Sequence, residues 1–296
     1  MKKTITIGSR GSDLALKQVD VTKAALLGVE PTLDIVVKVI KTEGDINSSP
    51  IPLDVVGKGW FTKEIERELQ QGTIDIAVHS LKDVSEVMPE GLAIAAYLTR
   101  EDPRDVLVSK KNVSFASLPK GAIIGTDSSR RRVQLLALRD DIVVTSIRGN
   151  VLTRLKKLET ESYDALVLAA AGLKRLGLEE RVTEYFHTCD MLPAPGQGVL
   201  AIQIRANDNE LAMLVSRIAD EDTTTVVHAE RSFSRRVGGG CKQPTAAYAT
   251  LKNDILFLEG VIARRDGKGL VRDELHGPRA EAIMLGELLA ERMLNA

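Results

Sequence analysis

At 296 residues, with 44% hydrophobic and 27% charged side chains and a formal net charge of −1, the chain has the balance of an ordinary soluble protein of two or three domains. It carries no global field to draw nucleic acid, and aromatics at 3% offer little surface for base stacking. No apolar run reaches the ~18–20 residues that a bilayer span requires, the start MKKTITIGSRGS lacks the long apolar stretch of a signal peptide, and Cys189 and Cys241 are too few for a disulfide framework, so the expected setting is the cytoplasm.

Residues 4–8 (TITIG) read as a strand, and Ser12 or Asp13 caps a helix running to about Leu27. Residues 33–40 (LDIVVKVI) form a second strand. A polar loop follows from about Lys41 to Gly59, then a helix from Phe61 to Gln71. After the turn signal Gly72-Thr73, the apolar run Ile74, Ile76, Ala77 and Val78 predicts a buried strand that becomes polar at once at His79, Ser80, Lys82 and Asp83. Residues 91–98 (GLAIAAYL) read as a further strand. This alternation predicts a mainly parallel sheet with helices on both faces. The break REDPRD (100–105) precedes a second, similar unit, with strands at 105–109, 122–126, 142–147 and 164–169 and helices starting at Ser128 and Asn150. Pro193, Pro195, Gly196 and Gly198 mark another break before the strand-like 199–204. Two α/β units joined by two separate crossings predict a two-lobed, hinged fold with a cleft. A smaller α+β domain is expected from about Asp222, with strands at 245–251, 255–263 and 269–276 and a last helix from about Pro278. No internal repeat or low-complexity tract stands out.

Ligands of open α/β sheets sit beyond the carboxyl ends of strands, so Lys82 and Asp83 side by side at such an end mark a candidate reaction site; a solvated strand-to-helix turn is the plainer alternative. Arg10 follows the first strand, Arg130, Arg131 and Arg132 stand at a helix start, and Arg148, Arg154 and Arg175 follow in the second unit. Helix starts favour anions, guanidinium forks match carboxylates, and Thr126, Ser128, Ser129 and Asn150 add neutral donors. Any one of these arginines is more simply read as solvated. Several at the ends of successive strands point to a polyanionic ligand, and a phosphate fits them as well as a polycarboxylate.

Cys241 follows Gly238-Gly239-Gly240, which predicts an exposed, closely approachable thiol, with the positive charges of Arg235, Arg236 and Lys242 nearby in sequence to favour its reactive thiolate. A buried, inert cysteine is the commoner fate, but three glycines build no core. With only His79, His187, His228 and His276 available and no His/Asn or His/Asp pattern, a cysteine protease fits poorly. Cys189, in FHTCDML, has no such context and reads as structural. The polar loop Asp45 to Lys58 ends in Gly57-Lys58-Gly59 and is a lid candidate, in which Phe61 or Trp60 covers a ring; packing of that aromatic on the core is an equal alternative.

The segment TIDIAVHSLKDV (73–84) resembles the signature of the porphobilinogen deaminases, also called hydroxymethylbilane synthases. Further segments occur in that family's order: IGSRGSDLAL (7–16), KGWFTKEIE (58–66), REDPRDVLVS (100–109), IGTDSSRRRVQL (124–135), IRGNVLTRLKKL (147–158), AAAGLKRLGL (169–178), LPAPGQGVLAIQ (192–203) and GGGCKQPTAAYA (238–249). They cover the chain to about residue 265, and the tail matches in general character only. The resemblance implies an α/β fold of two periplasmic-binding-protein-like doubly wound domains forming a cleft, plus a small C-terminal α+β domain. The implied divisions are 1–99 with 199–217, 104–193, and 222–296. It also implies a transferase of porphyrin and heme biosynthesis that joins four porphobilinogen molecules head to tail into hydroxymethylbilane and releases ammonia. Such an enzyme is expected to act as a cytoplasmic monomer on this small-molecule substrate, with neither nucleic acid nor membrane as partner. Porphobilinogen carries an acetate and a propionate on its pyrrole, which gives the arginines a purpose.

By the same resemblance, a dipyrromethane cofactor is held through a thioether to Cys241, with Ser80, Lys82, Asp83, Thr126, Ser128, Ser129, Arg130 and Arg131 around it. Substrate contacts fall to Arg10, Ser12, Lys58, Phe61, Arg148, Asn150, Arg154, Arg175 and Gln197, and no metal is implied. Asp83 is the implied catalytic residue. Its carboxylate stabilises the cationic azafulvene formed as ammonia leaves, and accepts or relays the proton lost afterwards. One alternative is a non-catalytic bilobal anion-binding sensor module, which explains the arginines but neither the glycine-flanked cysteine nor Lys82-Asp83. Another is a nucleic-acid binder acting through Arg130, Arg131 and Arg132, against which the charge balance and scarce aromatics count. The chain departs from the family pattern at four places: Asp13 replaces a frequent proline, Asp54 and Val56 stand where a lysine and a glycine are common, and Gly238 replaces an acidic residue. Asp54 inverts the charge of the expected lid.

Overall fold

A computed structural model describes residues 4–46, 62–238, 244–263 and 269–295. Cys241, the expected lid from residue 47 onward, and Asp54, Val56, Lys58, Trp60 and Phe61 with it, lie outside the described residues. The chain divides into two compact units, Met1–Glu101 with Val199–Thr224 and Asp102–Gly198 with Thr225–Ala296. Among the described residues no helix is long and apolar enough to cross a membrane.

The elements begin β1 (Thr4–Ser9), α1 (Asp13–Val29), β2 (Asp34–Val39), α2 (Glu43–Ile46), α3 (Lys63–Gln70), β3 (Ile76–Ser80) and β4 (Leu92–Tyr97). They continue with β5 (Asp105–Ser109), β6 (Ile123–Gly125), α4 (Ser129–Leu138), β7 (Val143–Thr145), α5 (Val151–Thr160), β8 (Ala165–Ala169), α6 (Ala170–Arg175) and β9 (Glu184–Tyr185). Then come β10 (Leu200–Arg205), α7 (Asn209–Ser216), α8 (Glu221–Arg236), β11 (Thr245–Lys252), β12 (Ile255–Ala263), β13 (Leu270–Pro278) and α9 (Ala282–Leu294).

The first unit is built on a sheet of order β2-β1-β3-β10-β4. β1 runs parallel to β2 and β3, while β10 is antiparallel to both β3 and β4. Alternation along β3 shows why helices cover both faces. Ile76 and Val78 join a core with Val19 and Leu26 of α1 and Leu211 and Leu214 of α7. Ala77, between them, joins Ile65 and Leu69 of α3 on the other face. Each fully buried isoleucine or leucine contributes roughly 1.5–3 kcal/mol, so both faces are secured by apolar burial.

The second unit holds a sheet of order β7-β6-β8-β5-β9, again with one strand, β5, antiparallel to its neighbours β8 and β9. Leu135 of α4 packs on the face carrying Ile124 and Val167, and Leu155, Leu158 and Leu173 of α5 and α6 pack on the face carrying Val106 and Leu168. Both sheets are therefore doubly wound, and they share one connectivity. Leaving the antiparallel strand out of the count, a second strand lies at the edge, then a first and a third, and the antiparallel strand separates the third from the fourth. Gly8 in β1 and Gly125 in β6 hold matching places, where an added Cβ would meet Ile74 Cδ1 at 2.4 Å and Leu166 Cδ2 at 2.7 Å. The repeat that the sequence conceals is thus a repeat of connectivity.

The expected mainly parallel sheet is present in each unit: four of the five strands run the same way and one antiparallel strand is inserted among them. The antiparallel strand sits where the chain crosses between units, so it needs no right-handed helical crossover and enters the sheet from the opposite end. The second unit also contains an antiparallel sheet, β11-β12-β13, whose inner face forms a separate core with α8 and α9.

Candidate active site

The first unit presents its candidate residues on one short turn. β3 is buried until it reaches Ser80 and is followed by a single 3-10 turn, Leu81–Asp83. Leu81 and Val84 are both buried, Leu81 N donates to Val199 O at 3.0 Å, and Val84 N donates to Leu81 O at 3.0 Å. Anchored at both ends, the turn leaves Lys82 half-buried and Asp83 exposed. The Ser80 hydroxyl accepts from Gln18 Nε2 at 2.8 Å, a buried partner with no signal in the local sequence. Arg10 and Ser12 follow the carboxyl end of β1, beside β3 in the sheet. Ser12 caps α1, its hydroxyl accepting from Ala15 N at 3.3 Å. Asp13, where the resembled family often has proline, opens the helix at a position that suits either residue: proline has the right φ there, and a carboxylate suits the positive end of the dipole.

Behind the turn lies a buried polar chain that sequence reasoning missed. His79 Nε2 meets Gln203 Oε1 at 2.9 Å, and Gln203 Nε2 donates to Glu66 Oε1 at 3.1 Å. All three side chains are buried. Burial lowers the His79 pKa from 6.5 to about 4, opposed in part by its bond to Gln203 and by the charge of Asp83. The unfolded chain therefore takes up a proton that the folded chain refuses. The stability this supplies is whole above pH 6.5 and drains away, by about 3 kcal/mol, as the pH falls to about 4. His79→Gln should flatten that part of the pH profile, read as urea midpoints of variant and wild type across the window. A variant losing stability as steeply as wild type would rule out His79 as the cause.

The second unit presents its residues at the carboxyl ends of β6, β7 and β8. After β6, the Thr126 hydroxyl accepts from Ser128 N at 3.2 Å, and Ser128 caps α4 by accepting from Arg131 N at 3.3 Å. Ser129 is exposed at the first position of that helix. Beyond β7, the Asn150 side chain caps α5, accepting from Thr153 N at 2.8 Å. Arg148 Nε and Arg154 Nη2 stand 4.0 and 3.8 Å from the Asp127 carboxylate, a neighbour that sequence reasoning did not single out. Beyond β8, at the end of α6, Arg175 donates to Gly198 O at 2.6 Å.

Arg130 and Arg131 are not solvated. They are 5% and 6% exposed and share the carboxylate of Asp105, which is fully buried at the start of β5. Arg130 Nη1 lies 2.7 Å from Oδ2, and Arg131 donates to Oδ1 through Nε at 3.0 Å and Nη2 at 2.7 Å. Gln197 joins them, donating to Asp105 Oδ1 at 2.9 Å and to Pro103 O at 2.7 Å. Burial alone would raise the Asp105 pKa, but the two guanidinium charges overcome it and hold the carboxyl well below the usual range. Two cations face one anion, and the buried Nε of Arg130 has no hydrogen-bond partner among the described residues. The arrangement suits an anionic ligand that supplies the missing charge.

By unit, Arg10, Ser12, Ser80, Lys82 and Asp83 fall in the first, and Thr126, Ser128, Ser129, Arg130, Arg131, Arg148, Asn150, Arg154, Arg175 and Gln197 in the second. Gly238, three residues before Cys241, has a φ of +88°, a left-handed value that glycine adopts without strain; α8 stops just before it. Among the described residues no group of His, Cys, Asp and Glu could hold a metal ion.

Comparison with known proteins covers nearly the whole chain. The family model "Porphobilinogen deaminase, dipyromethane cofactor binding domain" matches residues 5–213, and "Porphobilinogen deaminase, C-terminal domain" matches residues 224–295. A porphobilinogen deaminase of Syntrophotalea carbinolica is 47% identical, over 98% of this chain and 92% of its own length. One of Syntrophus aciditrophicus is 45% identical, over 98% of this chain and 94% of its own, and one of a Roseiflexus species is 45% identical over 100% and 97%.

Proposed function

The chain belongs to the porphobilinogen deaminase family, and on that premise we propose that Asp83 is its catalytic carboxylate and Cys241 the attachment point of its cofactor. The enzyme is a transferase of tetrapyrrole biosynthesis that joins four porphobilinogen molecules head to tail into hydroxymethylbilane and releases ammonia. Its cofactor is dipyrromethane. The single observation that carries the site reading is the turn after β3, which projects Lys82 and Asp83 from two buried anchors at a strand's carboxyl end. A non-catalytic sensor module is not favoured.

The residues fit a polycarboxylate cofactor. Arg130 and Arg131 carry one positive charge more than Asp105 offsets, and a carboxylate of the cofactor would balance it. Thr126, Ser128, Ser129, Ser80 and Lys82 complete the set that would hold it. When bound, dipyrromethane supplies the free pyrrole α-carbon to which the first porphobilinogen is joined. Asp83 acts on the substrate: as ammonia leaves porphobilinogen, positive charge spreads over the pyrrole, and a fixed carboxylate lowers the energy of that cation. The same carboxylate accepts or relays the proton released after bond formation. Arg10, Ser12, Lys58, Phe61, Arg148, Asn150, Arg154, Arg175 and Gln197 orient the substrate and growing chain. The reading keeps a three-domain division, supported by the separate core of the β11-β12-β13 sheet. It takes the enzyme as a cytoplasmic monomer without nucleic acid or membrane partners; the net charge of −1 and the scarcity of aromatics support the absence of a nucleic-acid partner.

The test is turnover. With porphobilinogen, the purified chain should release ammonia and form hydroxymethylbilane. Arg148→Leu and Arg154→Leu should each lower kcat/KM by about 10–100-fold, the worth of one charged hydrogen bond, and should trap covalent intermediates visible by intact mass. Unchanged turnover and unchanged intermediates in both variants would reduce these arginines to a solvated face.

A further inference from the structure

We propose that Asp105 is a positioning residue, a resident carboxylate that holds Arg130, Arg131 and Gln197 in the arrangement that receives the cofactor's anionic groups. The proposal rests on the reading that Arg130 and Arg131 bind the cofactor. Two segments distant in sequence meet on this one side chain at the start of β5: the start of α4 and the stretch between Leu192 and Gly198. Each is also fixed by backbone. Arg131 Nη1 donates to Val167 O at 3.0 Å, Arg130 Nη1 to Leu192 O at 2.6 Å, and Gln197 Nε2 to Pro103 O at 2.7 Å.

Charge explains why a carboxylate is needed. Two neighbouring guanidiniums, buried at the positive end of a helix dipole, repel each other and are disfavoured by the dipole. Without a shared anion they would turn towards water. One carboxylate is enough to hold the pair inside and too little to neutralise it. It therefore keeps the arginines ordered and leaves an electrostatic demand for a second anion. Among the described residues Asp105 is the one carboxylate paired with either arginine. A neutral amide of the same shape could still accept a hydrogen bond but would leave two uncompensated charges.

The experiment compares the full chain isolated as wild type, Asp105→Asn, Asp105→Glu and Arg131→Leu. Intact mass gives the fraction carrying the covalent adduct, and circular dichroism gives the folded fraction. Per folded molecule, Asp105→Asn should lower adduct loading about tenfold or more, and Asp105→Glu, which keeps the charge, should recover part of it. Asn loading at the wild-type level, or Glu falling as far as Asn, would overturn the positioning role. Arg131→Leu separates this idea from the one beneath it. Normal loading there would overturn cofactor binding by the arginine itself, whereas poor loading there with normal loading in Asp105→Asn would overturn only the proposal about Asp105.

Discussion

Asp83→Asn should lower kcat by about 10²–10³-fold, the scale seen when one fixed electrostatic group is removed from a site of developing charge. Asparagine preserves size and most hydrogen bonding and removes only the negative charge. Asp83 is exposed between the buried anchors Leu81 and Val84, so the turn should keep its shape, and global stability should move by no more than about 0.5 kcal/mol. Asp83→Glu keeps the charge and displaces it by one methylene, so it should retain weak activity. The decisive measurement is single-turnover ammonia release by variants that carry the covalent adduct. The same substitution has a second readout. The charge of Asp83 holds the His79 pKa up against burial, so the Asn variant should show His79 titrating lower still by NMR. An Asn variant as fast as wild type would leave Asp83 as a structural element of the turn.

Cys241→Ala should yield a chain with no adduct and no activity. Cys241 lies in the short connection between α8, which ends at Arg236, and β11, which starts at Thr245. Intact mass of the variant should match the bare polypeptide, while Cys189→Ala should keep the adduct. The variant should also melt at a lower temperature, because a ligand held only by the folded state stabilises that state. A fully active, unmodified Cys241→Ala protein would refute covalent attachment there.

What the sequence made legible was local chemistry. Ser12 was readable as one of two cap candidates, and Ser128 and Asn150 as helix starts, because each precedes a helical pattern; in the structure all three cap their helices, accepting from amides three residues on. β3 was readable because its apolar run ends abruptly in polar residues. The third sheet was readable as the three strands expected at 245–251, 255–263 and 269–276. Helix α8 was not read as a helix: its run Thr223-Thr224-Thr225-Val226-Val227 is β-branched and weakly helical by propensity. Packing decides it, since Val226, Ala229, Phe233 and Val237 enter the core beneath the third sheet. β9, two residues long, is too short to leave a pattern. Asp105 was invisible for a different reason. Its sequence neighbours advertise only a break, and its three partners lie 25 to 92 residues away, brought together by tertiary structure alone. The chain of His79, Gln203 and Glu66 was hidden in the same way, Gln203 lying 124 residues from His79 and 137 from Glu66.

The placement of β10 has a consequence for the chain as it leaves the ribosome. β3 and β4 are not neighbours in the first sheet; β10 lies between them, with Leu200 opposite Ser80 and Ala201 opposite Tyr97. About 100 residues separate β4 from β10, which at ~5–20 residues per second is roughly 5–20 s of synthesis. Through that interval β3 has one open edge and β4 has no partner in the sheet. The amino-terminal unit, although first to emerge, cannot close its sheet until the β5-to-β9 sheet has been made. A nascent or truncated chain ending before residue 199 contains every strand of the first sheet except the one that joins its two parts.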